Sequence, residues 1–226
     1  MSNLLTISQS LTGLYRERSG DPTFWAEPLN ALTNASFLIA AAFALAFAIR
    51  RRSLTATTIL LISLAGIVGL GSFLFHTMPT PFTNWLDILP IATFQAVSMW
   101  LFSRELLSNN RWLCAAIVLA VVGSSLALLP LHRPINGSLF YFPSLAAMLA
   151  FGGLWASRSK SEPFLLMGAA CTFALAISAR TCDWIAPWPM GTHFLWHLLN
   201  GVVVYLVLRT WIVAASRKAV AADQVT

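Results

Sequence analysis

Seven apolar segments recur along the chain and are separated by short polar stretches. A transmembrane helix needs roughly 20 predominantly apolar residues, so segments of this length predict membrane-spanning helices. The segments cover, to within a few residues, positions 30–49, 57–75, 85–102, 112–131, 136–155, 163–177 and 192–213. The pattern therefore predicts an all-α membrane protein with seven transmembrane helices.

The composition of the chain agrees with this interpretation. Of its 226 residues, 58% are hydrophobic and only 10% are charged, whereas an average soluble domain has about 25% charged residues. Seven spans of roughly 20 residues would use about 140 residues and leave only short loops. We therefore expect a single seven-helix domain over residues 1–226, with an extracytoplasmic segment at 1–28 and a cytoplasmic tail at 214–226.

The basic residues are distributed unevenly between alternate loops, and this distribution predicts the orientation of the chain. One side holds ten: Arg50, Arg51, Arg52, Arg104, Arg111, Arg158, Lys160, Arg209, Arg217 and Lys218. The other side holds four: Arg16, Arg18, Arg133 and Arg180. Cytoplasmic loops are enriched in Lys and Arg, so we expect an extracytoplasmic N-terminus and a cytoplasmic C-terminus. The net charge of +6 then reflects topology, and no nucleic-acid partner is expected.

A small set of polar residues lies at the ends of spans that this orientation places near the outer membrane face. His76 ends the second span, and Ser72 precedes it by one helical turn. Asp87 lies in the first turn of the third span, and His193 and His197 lie in the first turns of the seventh. Ionisable residues within spans are costly and call for a partner or a function. Their shared depth predicts a functional site.

The spacing of His193 and His197 favours a metal site, because residues four apart on a helix lie on the same face. His76 would be a third ligand, and three protein ligands leave one position of a tetrahedral zinc site for water. Zinc would lower the pKa of that water toward about 7. Each residue alone has an ordinary structural explanation: Ser72 bonding to its own helix, Asp87 capping a helix or pairing with a histidine, His76 bonding to a neighbour.

Three sequence blocks resemble the alkaline ceramidase family, within a superfamily of seven-helix membrane hydrolases that includes the adiponectin-receptor-like proteins. The first block is EPLNALTN, residues 27–34. The second is GLGSFLFHT, residues 69–77, followed by LDILP. The third is THFLWHLLNG, residues 192–201. The blocks lie at the beginning, in the second quarter and at the end of the chain, so the resemblance spans nearly its whole length.

The resemblance implies zinc bound by His76, His193 and His197, with Ser72 stabilising the oxyanion and Asp87 transferring protons. It further implies hydrolysis of the amide bond of ceramide, or of a related N-acyl lipid, to a fatty acid and an amine lipid. The substrate partner would thus be a lipid amide that reaches the site within the membrane.

The resemblance also implies a second, weaker metal site, since eukaryotic members bind calcium through an acidic N-terminal segment. Glu17 and Glu27 match two of its positions, whereas Leu14 and Ser19 replace an aspartate and an asparagine. Calcium takes six to eight oxygen ligands, so these departures weaken the calcium prediction. The alternative is that Glu17 and Glu27 balance nearby arginines, such as Arg16, Arg18 or Arg180.

Other functions remain open on the sequence. One is a receptor-like seven-helix zinc protein with vestigial or ester-directed hydrolase activity, although a structural metal needs neither Ser72 nor Asp87. Another is an ion transporter, but the ionisable residues cluster near one face. Asp183 is expected to form a local ion pair with Arg180 or to lie at the rim of the site, and not to act as a catalyst. Alanine-rich helices and short termini favour a bacterial inner membrane, with the site toward its extracytoplasmic face.

Overall fold

A computed structural model describes residues 11–128, 131, 134–159 and 161–223, with the side chains at 134 and 218–223 excepted. Every regular element in these residues is helical. The first long helix has two pieces, α1 (Pro28–Thr33) and α2 (Ala35–Arg50). Six more follow: α3 (Ala56–Thr77), α4 (Pro81–Leu106), α5 (Arg111–Ala127), α6 (Phe142–Arg158), α7 (Leu165–Thr181) and α8 (His193–Asp223). The prediction of seven long helices is confirmed for this part of the chain.

Five helical segments are long and apolar enough to cross a membrane: Pro28–Arg50, Ala56–Thr77, Pro81–Leu106, Ile135–Arg158 and His193–Arg217. The apolar helices α5 and α7 are shorter, with 17 residues each. Large apolar side chains such as Phe43, Leu119 and Leu175 are exposed on the helical surface, as expected where lipid replaces water. The architecture is that of a multi-pass membrane protein, and the side on which each terminus lies stays a prediction.

The helix bounds differ from the apolar segments where local chemistry overrides hydropathy. Helix α4 begins earlier than predicted because Thr80 at its N-cap and Thr83 in its first turn form a capping box. Helix α6 begins at Phe142 instead of 136, because Asn136 and Gly137 have φ values of 53° and 71°, which lie in the left-handed region. Helix α8 continues through Asp223, so most of the predicted tail is helical.

Helix α8 lies at the centre of the packing, where it contacts α7, α2 and α3, and α3 in turn packs along α4. The approach of α8 to α2 is close, since a β-carbon at Gly201 would lie 2.6 Å from the β-carbon of Ser36. On α8 the side chains of Leu208 and Ile212 are fully buried. This arrangement brings the end of α3, the start of α4 and the first turns of α8 together at one end of the bundle.

Candidate functional site

Three buried histidines converge at this end of the bundle. His76 comes from the last turn of α3, and His193 and His197 come from the first two turns of α8. Each side chain offers one ring nitrogen, and these three atoms lie within 4.8 Å of one another. The three histidines that the sequence analysis selected can therefore hold one metal ion.

Hydrogen bonds to the outer ring nitrogens orient two of these histidines. His76 Nδ1 lies 2.6 Å from Glu27 Oε2, and since a carboxylate only accepts, Nδ1 carries the proton. His197 Nδ1 lies 3.1 Å from the hydroxyl of Thr33, which itself donates to the carbonyl of Leu29 and so accepts from the ring. In both rings the lone pair is thus on Nε2, the atom available to a metal.

Unpaired polar atoms at the centre of the site fit a metal ion. Among the described residues, His76 Nε2, His193 Nδ1 and Asp87 Oδ1 are buried without a hydrogen-bond partner. Burying such atoms unpaired is costly, and native structures rarely collect several of them in one place without a ligand. Neutral imidazoles are preferred zinc ligands. The donor set therefore fits zinc.

Ser72 and Asp87 lie beside the histidines on facing helices. Both side chains are buried, and the Ser72 hydroxyl interacts with the Asp87 carboxylate. The carboxylate also interacts electrostatically with His76 and Arg180. Thr80 is the N-cap of α4, so the alternative in which Asp87 caps its helix is wrong. The structure thus places Ser72 and Asp87 near His76, and the catalytic roles of both residues stay predictions.

A glycine allows the two helices to approach at this point. A β-carbon at Gly71 would lie 2.0 Å from the carbonyl oxygen of Leu86, a distance at which the backbones must separate. Gly71 directly precedes Ser72, and Leu86 directly precedes Asp87. The contact between Ser72 and Asp87 therefore depends on the missing side chain at position 71.

We expect Gly71→Ala to destabilise the protein by about 1–3 kcal/mol, the usual cost of overpacking, because α3 must move away from α4. Gly66→Ala is a matched control on the same helix, since the nearest atom to its added β-carbon would be Leu38 Cδ2 at 4.0 Å. Thermal unfolding of both variants in detergent measures the difference. Equal unfolding temperatures for the two variants would show that the close approach at Gly71 is not required.

The segment before α1 covers the histidines, a feature that the sequence analysis missed. Tyr15 stacks on His193 with ring centroids 3.8 Å apart and an interplanar angle of 22°. Burial raises the pKa of the Tyr15 phenol, which keeps it neutral. Arg180 lies over the rings of Tyr15, Tyr141 and Trp196, 5.5–5.8 Å from their centroids. Of these residues, only Arg180 could have been noticed in the sequence, because it lies at the end of an apolar segment.

Asp183 organises the start of α8 and does not pair with Arg180 as expected. Its Oδ1 accepts hydrogen bonds from the backbone N–H groups of Thr192 and His193, both at 2.8 Å. Its Oδ2 accepts from the backbone N–H of Arg16 at 3.0 Å. The N–H groups of Thr192 and His193 lie at the beginning of α8, where the helix itself provides no acceptor. Asp183 therefore satisfies donors that the helix leaves free. It thereby holds His193 in place.

The two glutamates of the predicted calcium site are already engaged by the protein. Glu17 accepts from the backbone N–H groups of Leu29 and Asn30 at 2.8 and 2.9 Å, and burial raises its pKa. Glu27 binds the guanidinium of Arg18 at 2.6 Å through Oε1 and His76 through Oε2. The carboxylates of Glu17 and Glu27 are thus both occupied, and Glu27 is in contact with a positive charge. This arrangement does not fit calcium. The alternative pairing of Glu27 with Arg18 is confirmed, whereas Glu17 binds backbone instead of an arginine.

An apolar cavity of about 120 Å³ lies below the histidines. On α8 its walls extend from Trp196 to Val207, and on α4 from Ile91 to Phe102. Eleven residues of helix correspond to roughly 16 Å, so the cavity is deep along the helix axes. Its upper end begins one turn below Asp87, and it can accommodate a hydrocarbon chain that starts at the site.

Comparison with protein families identifies the family of this chain. The model of the family described as Ceramidase matches residues 22–225, a range that includes the three histidines, Ser72 and Asp87. A search of curated proteins found no match.

Proposed function

The chain belongs to the ceramidase family, and we propose that it is a zinc-dependent amidase that hydrolyses the N-acyl amide bond of a membrane lipid. The products are a free fatty acid and an amine lipid, and the substrate is ceramide or a related N-acyl lipid. The observation that carries the proposal is the buried cluster of His76, His193 and His197 beside Ser72 and Asp87. A structural metal site would need neither the serine nor the carboxylate.

In this proposal His76, His193 and His197 would hold the zinc ion, and three protein ligands are the number typical of catalytic zinc sites. A bound zinc ion supplies a Lewis acid that polarises the amide carbonyl and lowers the pKa of water. The hydrogen bonds from His76 to Glu27 and from His197 to Thr33 hold the two rings in the required tautomer. Such outer partners are part of a working metal site.

Asp87 and Ser72 have separate roles. Asp87 accepts a proton from the attacking water at Oδ1, the oxygen without a hydrogen-bond partner among the described residues, and returns it to the leaving nitrogen. Water and the amide thereby give a carboxylic acid and an amine. Ser72 donates a hydrogen bond to the carbonyl oxygen as negative charge develops on it, a contribution that is largest in the transition state.

The cavity supports a lipid as the substrate. Its lining is mainly apolar, and it begins beside Trp196, one residue before His197. An acyl chain in this cavity would place its amide end next to the histidines and Asp87. Burial of the chain would contribute about 0.8 kcal/mol for each methylene group, so binding should strengthen with chain length until the cavity is filled.

The proposed location is a bacterial inner membrane, with the site toward the extracytoplasmic face. The excess of Lys and Arg in alternate loops supports this orientation through the positive-inside rule. We expect a reporter fused after residue 218 to be cytoplasmic and one fused at the N-terminus to be on the opposite side. A reporter found in the cytoplasm when fused at the N-terminus would contradict the proposed orientation of the site.

Metal analysis combined with a lipid panel tests the proposed activity. Purified protein should contain one zinc ion per chain and release fatty acid from ceramide or from another N-acyl lipid in the panel. Glycerolipid esters with the same acyl chain separate amide from ester hydrolysis. Zinc-loaded protein that hydrolyses neither class would favour the receptor-like alternative, and ester hydrolysis alone would correct the bond that is cleaved.

A further inference from the structure

A fully buried arginine lies directly behind the candidate metal centre. All three guanidinium nitrogens of Arg18 donate to oxygen atoms. Nε bonds to Glu27 Oε1 at 2.6 Å, and Nη1 bonds to the carbonyls of Asp21 and Thr23, both at 2.9 Å. Nη2 bonds to the carbonyl of His76 at 2.7 Å. The exposed fraction of the Arg18 side chain is 0%.

This environment consists of oxygen atoms arranged around one positive charge. A buried charge is costly unless it is paired and hydrogen-bonded, and here one carboxylate and three carbonyls meet that need. Carboxylate and carbonyl oxygens are also the ligands that hard divalent cations take. The planar guanidinium, with donors in fixed directions, thus occupies the kind of oxygen-lined site that would otherwise suit a metal.

Arg18 acts on His76 by two routes. Through Oε1 it holds Glu27, whose Oε2 accepts a hydrogen bond from His76 Nδ1 at 2.6 Å. Through Nη2 it also holds the backbone carbonyl of His76. The ring and the main chain of one metal-ligand candidate are therefore both tied to the same guanidinium. Loss of such a partner behind a ligating histidine usually weakens metal binding.

We propose that Arg18 is the built-in cation of this site, that it positions His76 for zinc through Glu27, and that it makes the metal centre independent of calcium. The proposal rests on the proposed zinc binding at the three histidines. Arg18 is a positioning residue, because it reaches the zinc site only through Glu27 and His76. It also lies before residues 22–225, the range matched by the family model.

The geometry distinguishes this arrangement from a calcium site with an arginine nearby. Glu17, the other predicted calcium ligand, directs both oxygens to the backbone N–H groups that begin α1. Glu27 is left to share its two oxygens among Arg18, His76 and Asn30. A divalent cation at Glu27 would have to displace the guanidinium, which is fully enclosed.

The test measures the zinc affinity of detergent-purified protein by competition with a chromogenic chelator, so that its readout does not depend on catalysis. We expect Arg18→Ala to weaken zinc binding about 10–100-fold, the usual effect of losing an outer-shell partner. Millimolar guanidinium or calcium should restore much of the affinity by filling the space left by the side chain. Arg18→Lys, which keeps the charge without the fork, should have intermediate affinity.

Arg16→Ala is the matched control, because the Arg16 side chain bonds to the carbonyl of Trp184 and should leave zinc affinity unchanged. Unchanged zinc affinity in folded Arg18→Ala would overturn the positioning role. Wild-type protein gives a second test that needs no variant: its zinc affinity should be the same in calcium-depleted buffer and with millimolar calcium. A calcium-dependent increase in wild type would overturn the proposal, whereas wild type that binds no zinc would overturn the proposed function itself.

Discussion

Replacing both histidines of α8, His193→Ala with His197→Ala, is expected to abolish zinc binding and lipid amide hydrolysis. The two rings supply two of the three nitrogen atoms that converge within 4.8 Å, and His76 alone cannot hold zinc in a tetrahedral site. The loss of hydrolysis should be as large as the assay can detect, because without zinc no Lewis acid polarises the amide carbonyl or lowers the pKa of the attacking water. The single variants should bind zinc more weakly than wild type and retain little activity.

Zinc content and hydrolysis are measured on the same preparations, with size-exclusion profiles and thermal unfolding to establish the fold. Thr210→Val is the control on the same helix: Thr210 is buried, and its hydroxyl bonds to the carbonyl of Leu206, far from the site. Metal ligands must be deprotonated, so zinc occupancy of wild type should fall as the pH is lowered and the imidazoles bind protons. Full occupancy in the double variant would refute this ligand set.

Asp87→Asn is expected to lower kcat by about 10²–10⁴, the usual contribution of a general acid or base, while zinc remains bound. Ser72→Ala is expected to lower kcat by about 10²–10³, as for loss of one oxyanion donor. Neither side chain is needed to hold the metal, and both act on charge that develops in the transition state. KM should therefore change less than kcat.

Turnover of a lipid amide and zinc content are measured together for both variants. Ser103→Ala is the control, because Ser103 is buried on α4 sixteen residues beyond Asp87, near the opposite end of the helix. A zinc-loaded Asp87→Asn variant with wild-type turnover would exclude its role in proton transfer. If both variants lost zinc as well as activity, the two residues would belong to the metal site instead of acting beside it.

The seven helices and three metal-ligand candidates were predictable because the features that encode them are local. Apolar length depends only on consecutive residues, and the pairing of His193 with His197 depends only on helical spacing. His76 and Asp87 could be added because each lies at the end of an apolar segment, so that the alternation of the spans placed them at similar depth.

The surroundings of the histidines were not predictable, since they depend on contacts between distant parts of the chain. The bond between Glu27 and His76 joins residues 49 apart, and that between Arg18 and the His76 carbonyl joins residues 58 apart. The family resemblance implied calcium as the partner of Glu27, and the alternative was a nearby arginine. Only the packing of the N-terminal segment against α3 selected the arginine.

The sequence by itself determined the helical architecture, the number of long helices and the identity of the residues that meet at the candidate zinc site. Tertiary structure decided how closely they meet. The missing side chain at Gly71 allows α4 to approach α3. Asp183 binds the start of α8, and Tyr15 covers His193. The physical reason is that hydropathy and helical periodicity are properties of short segments. Hydrogen-bond partners and buried charges, in contrast, are chosen by three-dimensional proximity.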